Sequence, residues 1–164
     1  MNEGLLPKIR LFAAQQQLEL IETLGSGKDG IVLSAKHKMK PIAVAVKAFR
    51  WQEAYAREKV VYERLKGLSV TKIVGFNVPE MLWSDDALQI IETTIVERPF
   101  VLDFAGSHLD TRPDFSEEIW ANWEAERREQ FEDRWPKVQE ILDAFEEMGI
   151  YLLDVSPGNI GFVD

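Results

Sequence analysis

The chain of 164 residues is long enough for one folded core, or for one lobe with part of another, and its 46% hydrophobic and 29% charged residues are ordinary for a globular protein. A formal charge of -9 argues against the basic surface of nucleic-acid-binding proteins, so no DNA or RNA partner is expected. The chain has no cysteine, which excludes disulfides, thiolate nucleophiles and cysteine-ligated zinc.

The first part of the chain is predicted to form a helix and then a meander of strands. Residues 5–17 have the apolar spacing of a short amphipathic helix. Strands follow at 18–21, 31–35 and 42–49, joined by short turns. A meander of this kind argues against a dinucleotide-binding fold, in which the glycine-rich turn opens a helix.

A second helix is predicted at residues 52–67, where the apolar spacing again becomes helical. Strands at 70–83 and 88–96 bring the predicted number to five. Pro79 places the start of the former at a sheet edge or outside the sheet, because proline cannot donate a ladder hydrogen bond. Residues 97–106 form a connector.

The last third of the chain is predicted to be mainly helical. Ser116 is a suitable N-cap for a long helical region, and Pro136 predicts a break near Trp135. The region is acidic and also carries Trp120 and Trp123. We expect its tryptophans to pack in the core beneath a solvated charged face, with a partner-binding surface as the alternative.

A glycine-rich hairpin is the first candidate for chemistry. Gly25, Gly27 and Gly30 lie between two predicted strands, and Val32 follows at the start of the second. Glycines in such a turn let backbone N–H groups approach phosphate oxygens, and Val32 would close over a flat base. The alternative is a glycine-rich turn that binds no ligand.

Lys47 ends the third predicted strand, where it could lie beneath phosphates bound at the hairpin. Glu58, on the helix that follows, could pair with Lys47 and hold it in place. Glu53 and Glu63 are alternatives on the same helix. The structural alternatives are a solvated strand-end lysine and an ordinary surface ion pair.

Asp154 and Asn159 lie in a polar turn between two apolar, strand-like runs. Asp-x-x-x-x-Asn in this setting is the layout of a phosphoryl-transfer loop. In loops of that kind the carboxylate accepts a proton from the substrate and the amide binds Mg²⁺. The alternative is a chance spacing, because an acid and an amide five residues apart in a turn are common.

These motifs together resemble those of the protein-kinase-like family, in the same order and at compatible spacing. The segments that carry the resemblance are the nucleotide loop Gly25–Val32, the strand-lysine motif Val44-Ala45-Val46-Lys47, the C-helix Arg57–Leu65 and the catalytic loop Asp154–Ile160. The resemblance covers most of the chain and implies an α+β fold. A five-stranded antiparallel N-lobe with one C-helix would occupy residues 1–97, and a hinge with a reduced helical C-lobe would occupy 98–164, with ATP in the cleft.

The resemblance also implies roles for particular residues. The implied catalytic residues are Asp154, Lys47 and Glu58. The implied cofactor-binding residues are Gly25, Gly27, Gly30, Val32, Ala45 and Lys47. The implied Mg²⁺ ligand is Asn159, and the second ligand would be Asp164 or an acid from another chain. ATP and Mg²⁺ are therefore the implied cofactors.

The sequence departs from the family pattern at the end of the chain. Leu152 and Leu153 replace the first two residues of the His-Arg-Asp motif, and Ser156 replaces a common lysine. Only four residues separate Asn159 from Asp164, too few for the strand hairpin that precedes the family's second metal-binding acid. Asp164 therefore matches the turn acid of that hairpin, and the metal acid, the activation segment and the peptide-binding helices are expected to be absent.

Two functions stay open for such a chain. One is a kinase-like Mg²⁺-dependent phosphotransferase, which moves phosphate from ATP to a hydroxyl of a protein or small molecule. The other is a pseudokinase or nucleotide-binding scaffold without efficient transfer. A kinase-derived interaction module that binds no nucleotide is disfavoured, because it would need none of Lys47, Glu58, Asp154 and Asn159. A short C-lobe would leave apolar surface uncovered near residues 160–163, so we also hypothesise a homodimer.

Targeting features are not apparent in the sequence. No apolar run reaches the length of a membrane span, and residues 1–17 lack the apolar segment of a signal peptide. The two histidines, His37 and His108, do not have the spacing of a metal-binding pair. A cytoplasmic protein without membrane partners is the expectation.

Overall fold

The computed structural model describes residues 3–164, which fold as an α+β protein in two units. The first unit contains the described residues up to Leu68 together with Pro79–Ile95, and the second contains Ser69–Val78 and Val96–Asp164. Residues 69–78 and 96–97, which the sequence assigns to the first lobe, therefore belong to the second unit. The predicted lobe 1–97 also included residues 1 and 2, which lie outside the described residues.

The helices are α1 (Leu5–Gln16), α2 (Gln52–Gly67), α3 (Glu117–Phe131) and α4 (Trp135–Glu147). The strands are β1 (Leu18–Ser26), β2 (Gly30–His37), β3 (Ala43–Phe49), β4 (Lys72–Ile73), β5 (Phe76–Asn77), β6 (Met81–Asp85), β7 (Ile90–Thr94), β8 (Phe100–Val101), β9 (His108–Leu109), β10 (Ile150–Tyr151) and β11 (Ile160–Gly161).

The predicted five-stranded antiparallel sheet is confirmed, and it forms the centre of the first unit. Its strand order is β1-β2-β3-β7-β6, so β1 and β6 are the edge strands. The register is continuous between β2 and β3 and between β3 and β7. It shifts twice between β1 and β2 and once between β6 and β7. The irregularities of this sheet therefore lie at its two edges.

One face of this sheet is covered by α1. Ile9, Phe12 and other apolar residues at helical spacing on α1 share a buried cluster with alternate residues of the strands, such as Leu33 and Val46. The period of 2 along a strand sends the intervening residues to the other face. Lys47 is one of these, and it contacts α2. The sheet is thus enclosed between two helices.

The prediction of one strand over residues 70–83 is wrong. Only the end of this segment, β6, joins the five-stranded sheet, while β4 and β5 pair with each other in the second unit. The chain reverses between β4 and β5 through two residues of positive φ, Val74 at 50° and Gly75 at 82°. The expectation for Pro79 holds, because β6 is an edge strand and begins after it, at Met81.

The second unit contains α3, α4, a four-stranded sheet in the order β11-β8-β5-β4, and the pair β9–β10. Ser116 caps α3 as predicted, because its Oγ accepts a hydrogen bond of 3.2 Å from the Ile119 N–H. A 3₁₀ turn at Glu132–Arg134 interrupts the helical region, and α4 begins at Trp135 with proline in its first turn. The predicted break is confirmed.

The predicted core packing holds for only one tryptophan of this region. Trp135 is buried, whereas Trp120 and Trp123 on α3 are half-buried. Phe131 is the one buried residue of α3, so this helix contributes little to the core. Across the part of the chain that the structure describes, no helix has the length and apolar character needed to cross a membrane.

Glu92 is a buried carboxyl on β7, and its burial should make the stability of the protein depend on pH. Its Oε2 lies 3.5 Å from His37 Nε2. Burial raises the pKa of Glu92 above its usual value of 4.5, and the nearby His37 opposes this rise. The folded state therefore holds this proton more tightly than the unfolded state does. As the pH rises above about 4.5, ionisation of Glu92 should lower the free energy of unfolding.

The variant Glu92→Gln removes this titration, so its stability relative to wild type should increase between pH 4 and pH 7. The measurement is urea denaturation of both proteins at each pH, followed by far-UV circular dichroism. Glu19→Gln, at an exposed glutamate of β1, is the matched control and should change the difference less. A difference between wild type and Glu92→Gln that stays constant with pH would contradict this prediction.

Candidate functional site

The glycine-rich hairpin is tighter than the sequence indicated. Gly25 and Ser26 belong to β1 and Gly30 opens β2, which leaves only residues 27–29 between the strands. The Gly27 N–H donates a hydrogen bond of 2.9 Å to the Gly30 carbonyl and closes the turn. Residues 24–28 are all exposed. A ligand could reach the hairpin without rearrangement of the strands.

The three glycines differ in what surrounds them. A Cβ added to Gly25 or Gly27 would have no atom within 4 Å, so packing within the protein does not require glycine there. A Cβ added to Gly30 would lie 2.0 Å from the Ala48 carbonyl oxygen. Close packing of β2 on β3 therefore accounts for Gly30. Gly25 and Gly27 are the glycines that leave space for a ligand.

Arg50 fixes the hairpin from the end of β3, which the sequence did not indicate. Its Nη2 donates to the Gly27 carbonyl at 3.2 Å, and its backbone N–H donates to the Asp29 carbonyl at 2.8 Å. These contacts hold the turn close to the strand that carries Lys47. An arginine three residues after a strand lysine is not part of a recognisable sequence motif, so only the folded hairpin reveals this role.

Lys47 and Glu58 form the ion pair that the sequence predicted. Lys47 Nζ lies 2.9 Å from Glu58 Oε1, and the two side chains are only 16% and 2% exposed. Glu63 instead lies 3.6 Å from Lys59, and Glu53 is exposed. The pair is therefore an interior one, unlike the surface ion pair considered as the alternative. It fixes the lysine amine on the α2 side of the sheet.

Strand pairing places the other first-unit candidates around this lysine. Val32 pairs with Gly25 on one side and with Lys47 on the other, so the three lie in a row across β1, β2 and β3. Directly paired residues of antiparallel strands share a face. Ala45, two residues before Lys47, lies on the same face of β3 and pairs with Ser34. Val32 and Ala45 are half-buried.

The position of α2, and with it of Glu58, is fixed by a polar contact to the turn after β6. The Tyr55 hydroxyl donates to Asp86 Oδ1, and Lys59 Nζ lies 2.8 Å from the same atom. Burial and, after it, the hydrogen bond to Asp86 raise the pKa of Tyr55. Lys59 first and Tyr55 second lower the pKa of Asp86. These contacts keep Tyr55 protonated as a donor and Asp86 ionised as the shared acceptor.

The second unit carries Asp154 and Asn159 on one loop that is closed by its own hydrogen bonds. Asn159 Nδ2 donates to the Asp154 carbonyl at 3.0 Å, and the Asn159 N–H donates to the Ser156 carbonyl at 3.0 Å. The Asn159 carbonyl accepts a hydrogen bond of 2.7 Å from the Leu102 N–H. The Asn159 amide oxygen is not used by these bonds, and an amide oxygen is a suitable Mg²⁺ ligand.

Two residues of α3 hold this loop, a role that the sequence did not indicate. Trp123 Nε1 donates to the Leu153 carbonyl at 3.3 Å, and Arg127 Nε donates to the Val155 carbonyl at 3.2 Å. The guanidinium of Arg127 also lies 5.0 Å from the centre of the Trp123 ring. Their spacing of four residues, which places both on one side of α3, is a sequence feature that could have indicated them.

The contacts of Asp164 do not support its predicted role as a metal ligand. Its side chain is exposed, and its Oδ1 lies 3.4 Å from Arg134 Nη2. Among the residues that the structure describes, no group of three or more histidine, aspartate and glutamate side chains is arranged to hold a metal ion. Asn159 therefore remains the better candidate ligand, and a carboxylate partner for it is not apparent.

The structure thus brings together seven predicted site residues in the first unit and two on one loop of the second. The first-unit set is Gly25, Gly27, Gly30, Val32, Ala45, Lys47 and Glu58, and the loop set is Asp154 and Asn159. No protein-family model matches this chain, and a search of curated proteins also gives no match.

The apolar surface on which a homodimer was hypothesised is small. Ile160 and Gly161 are buried, and Phe162 packs edge-to-face on Phe76 with ring centres 5.0 Å apart. Val163 is the one exposed apolar residue of this short segment. The homodimer stays a prediction, but residues 160–163 do not form the exposed apolar surface that motivated it.

Proposed function

We propose that the protein is a kinase-like ATP-binding protein that acts as a Mg²⁺-dependent phosphotransferase to a hydroxyl group. The observation that carries the proposal is the interior Lys47–Glu58 pair at 2.9 Å, one strand away from Val32 and two strands away from Gly25. An interior ion pair gains little stability over apolar packing, because desolvation of the charges offsets their attraction. A lysine held in this way is well suited to bind a phosphate.

The hairpin and the loop supply the other parts. Gly25 and Gly27 leave open space beside the exposed hairpin, to which phosphate binding is assigned. Val32 and Ala45 are half-buried apolar residues of the same sheet, and they are assigned to the base. In the second unit, Asp154 is assigned to proton acceptance and Asn159 to Mg²⁺, which would neutralise charge on the phosphates when bound.

A nucleotide-binding protein without efficient transfer is the second candidate. It is favoured by Asp164, whose carboxylate contacts Arg134 and is not grouped with other potential metal ligands. Loss of one carboxylate ligand to Mg²⁺ would reduce the stabilisation of charge in the transition state while nucleotide binding persists. The two candidates therefore share ATP binding and differ in turnover.

The test begins with binding of MgATP to the purified protein by isothermal titration calorimetry. The double variant Lys47→Met/Glu58→Gln removes both charges, so that no ionised carboxylate is left buried by the lysine substitution. It should bind MgATP at least tenfold more weakly, about 1.4 kcal/mol, because a charged hydrogen bond to phosphate is lost. Lys36→Met, at an exposed lysine on the neighbouring strand β2, is the matched control and should bind as wild type does.

Turnover then separates the two candidates. Release of ADP or transfer of labelled phosphate by wild type, abolished in Asp154→Asn, would support the phosphotransferase. Binding without either would support the nucleotide-binding protein. A wild type that does not bind MgATP would rule out both. Equal affinity of wild type and the double variant would show that Lys47 has no part in the site.

A further inference from the structure

A second candidate site is a pocket in the second unit, between α3 and α4, which none of the kinase-like motifs lines. Its volume is about 390 Å³, within the usual range for small-molecule sites. Four aromatic side chains, Trp120, Trp123, Trp135 and Tyr151, form much of its wall. We call it the tryptophan pocket.

The aromatic wall has the geometry of a cation-binding corner. The Trp120 and Trp123 rings meet edge to face, with centres 5.7 Å apart and planes at 81°. Two ring faces at nearly a right angle can both contact one positive group, because the face of an aromatic ring is its negative region. Arginines already lie against both rings, since the guanidinium of Arg112 is 4.3 Å from the centre of the Trp120 ring and that of Arg127 is 5.0 Å from the centre of the Trp123 ring.

The charged residues of the pocket are mostly acidic. Glu117, Glu124, Asp143 and Glu146 line it against a single basic side chain, Arg112. Glu124 forms an ion pair with Arg128 at 2.9 Å, so Glu117, Asp143 and Glu146 are the other carboxylates of the pocket. Burial and then Asp143 raise the pKa of Glu146, while Arg112 lowers it. A bound cation would relieve the repulsion between these neighbouring carboxylates.

Trp135 supplies an independent indication of a ligand. It lines the pocket and is only 5% exposed, and its Nε1 has no hydrogen-bond partner in the described structure. A buried donor without an acceptor is costly, and most buried donors in native proteins are paired. An oxygen atom of a ligand would supply the missing acceptor once the side chains that cover Nε1 move aside, because this atom has almost no solvent-accessible surface.

We propose that the tryptophan pocket binds a small organic cation, with an ammonium group over Trp120 and Trp123 and an oxygen atom that accepts the Trp135 N–H. The carboxylates of Asp143 and Glu146 compensate the positive charge. Arg112 occupies the Trp120 face in the absence of this ligand and competes with it. This proposal does not depend on nucleotide binding, because none of the residues assigned to ATP or Mg²⁺ lines the pocket. Trp123, which also holds the loop of Asp154, is left unchanged in the variants below.

The test uses choline as the probe and 3,3-dimethylbutan-1-ol as its uncharged isostere. The two have nearly the same shape and both carry a hydroxyl, so they differ in charge alone. Titration at constant ionic strength, followed by calorimetry and tryptophan fluorescence, should give millimolar or tighter binding of choline and at least tenfold weaker binding of the alcohol. Absence of choline binding, or equal binding of the two, would overturn the proposal.

Variants locate the site within the protein. Trp120→Leu and Asp143→Asn/Glu146→Gln should each weaken choline binding at least fivefold. Trp120→Phe keeps an aromatic face and should retain most of the affinity, which guards against a loss caused by misfolding. Trp83→Leu, at an exposed tryptophan of β6, is the matched control and should bind as wild type does. Wild-type affinity in both Trp120→Leu and the acidic double variant would overturn the assignment.

Arg112→Gln tests the competition directly. Removal of the guanidinium uncovers the Trp120 face and makes the pocket more negative, so choline should bind at least threefold more tightly. Weaker choline binding in this variant would overturn the cation assignment, because it would show that Arg112 helps to bind the ligand.

Discussion

Replacement of Phe12 by alanine should destabilise the protein by about 3–5 kcal/mol, the usual cost of removing a fully buried phenylalanine. Phe12 on α1 has no exposed surface, and it belongs to the cluster that includes Ile9, Leu33 and Val46. The loss combines the transfer free energy of the ring with the cavity left between α1 and the sheet. Urea denaturation followed by far-UV circular dichroism measures it.

Leu11→Ala is the matched control for this substitution. Leu11 is the preceding residue of the same helix, but it is 49% exposed. Its replacement removes little buried surface, and alanine favours the helix, so the cost should stay below about 1 kcal/mol. Similar losses in the two variants would mean that α1 does not pack on the sheet as described.

Replacement of Gly30 by alanine should cost about 3 kcal/mol, whereas Gly27→Ala should change stability by less than about 1 kcal/mol. The added Cβ at Gly30 would lie 2.0 Å from the Ala48 carbonyl oxygen, a backbone atom that cannot move without disturbing the β2–β3 pairing. The same methyl group at Gly27 meets no atom within 4 Å. Denaturation curves of the two variants provide the comparison.

The pair of variants also separates structural from ligand-binding glycines. Under the proposed function, Gly27→Ala keeps its fold and loses affinity for MgATP, because the new side chain obstructs the approach of the phosphates to the backbone. Gly30→Ala should lose stability first. A stable Gly30→Ala protein would contradict the packing of β2 on β3, and unchanged MgATP affinity in Gly27→Ala would remove that glycine from the proposed site.

The sequence predicted the elements whose determinants are local. Helical spacing in residues 5–17 identified α1, apolar runs separated by short turns identified β2 and β3, and Ser116 marked the start of α3. The contact between Lys47 and Glu58 was predicted because strand and helix are consecutive in the chain. Each of these depends on residues close together in sequence, where periodicity and capping are informative.

The failures involve partners that are distant in sequence. Residues 70–83 have the composition of a strand, but β5 pairs in parallel with β8, which no local pattern could indicate. The turn between β4 and β5 was not predicted, because Val74 adopts a positive φ that is unusual for a β-branched residue. Trp123 was expected in the core, yet its indole N–H holds the Leu153 carbonyl thirty residues away.

The register shifts at both edges of the five-stranded sheet bear on the solubility of the protein. The edge strands expose apolar side chains, including Ile21 and Leu24 on β1 and Trp83 on β6. A flat edge of this composition would invite a strand from another molecule to extend the ladder. The shifts beside Glu22 and Trp83 twist each edge and break the regular spacing of its backbone donors and acceptors. The register is continuous among the central strands and shifts at the two edge strands, where a strand from another molecule would have to pair.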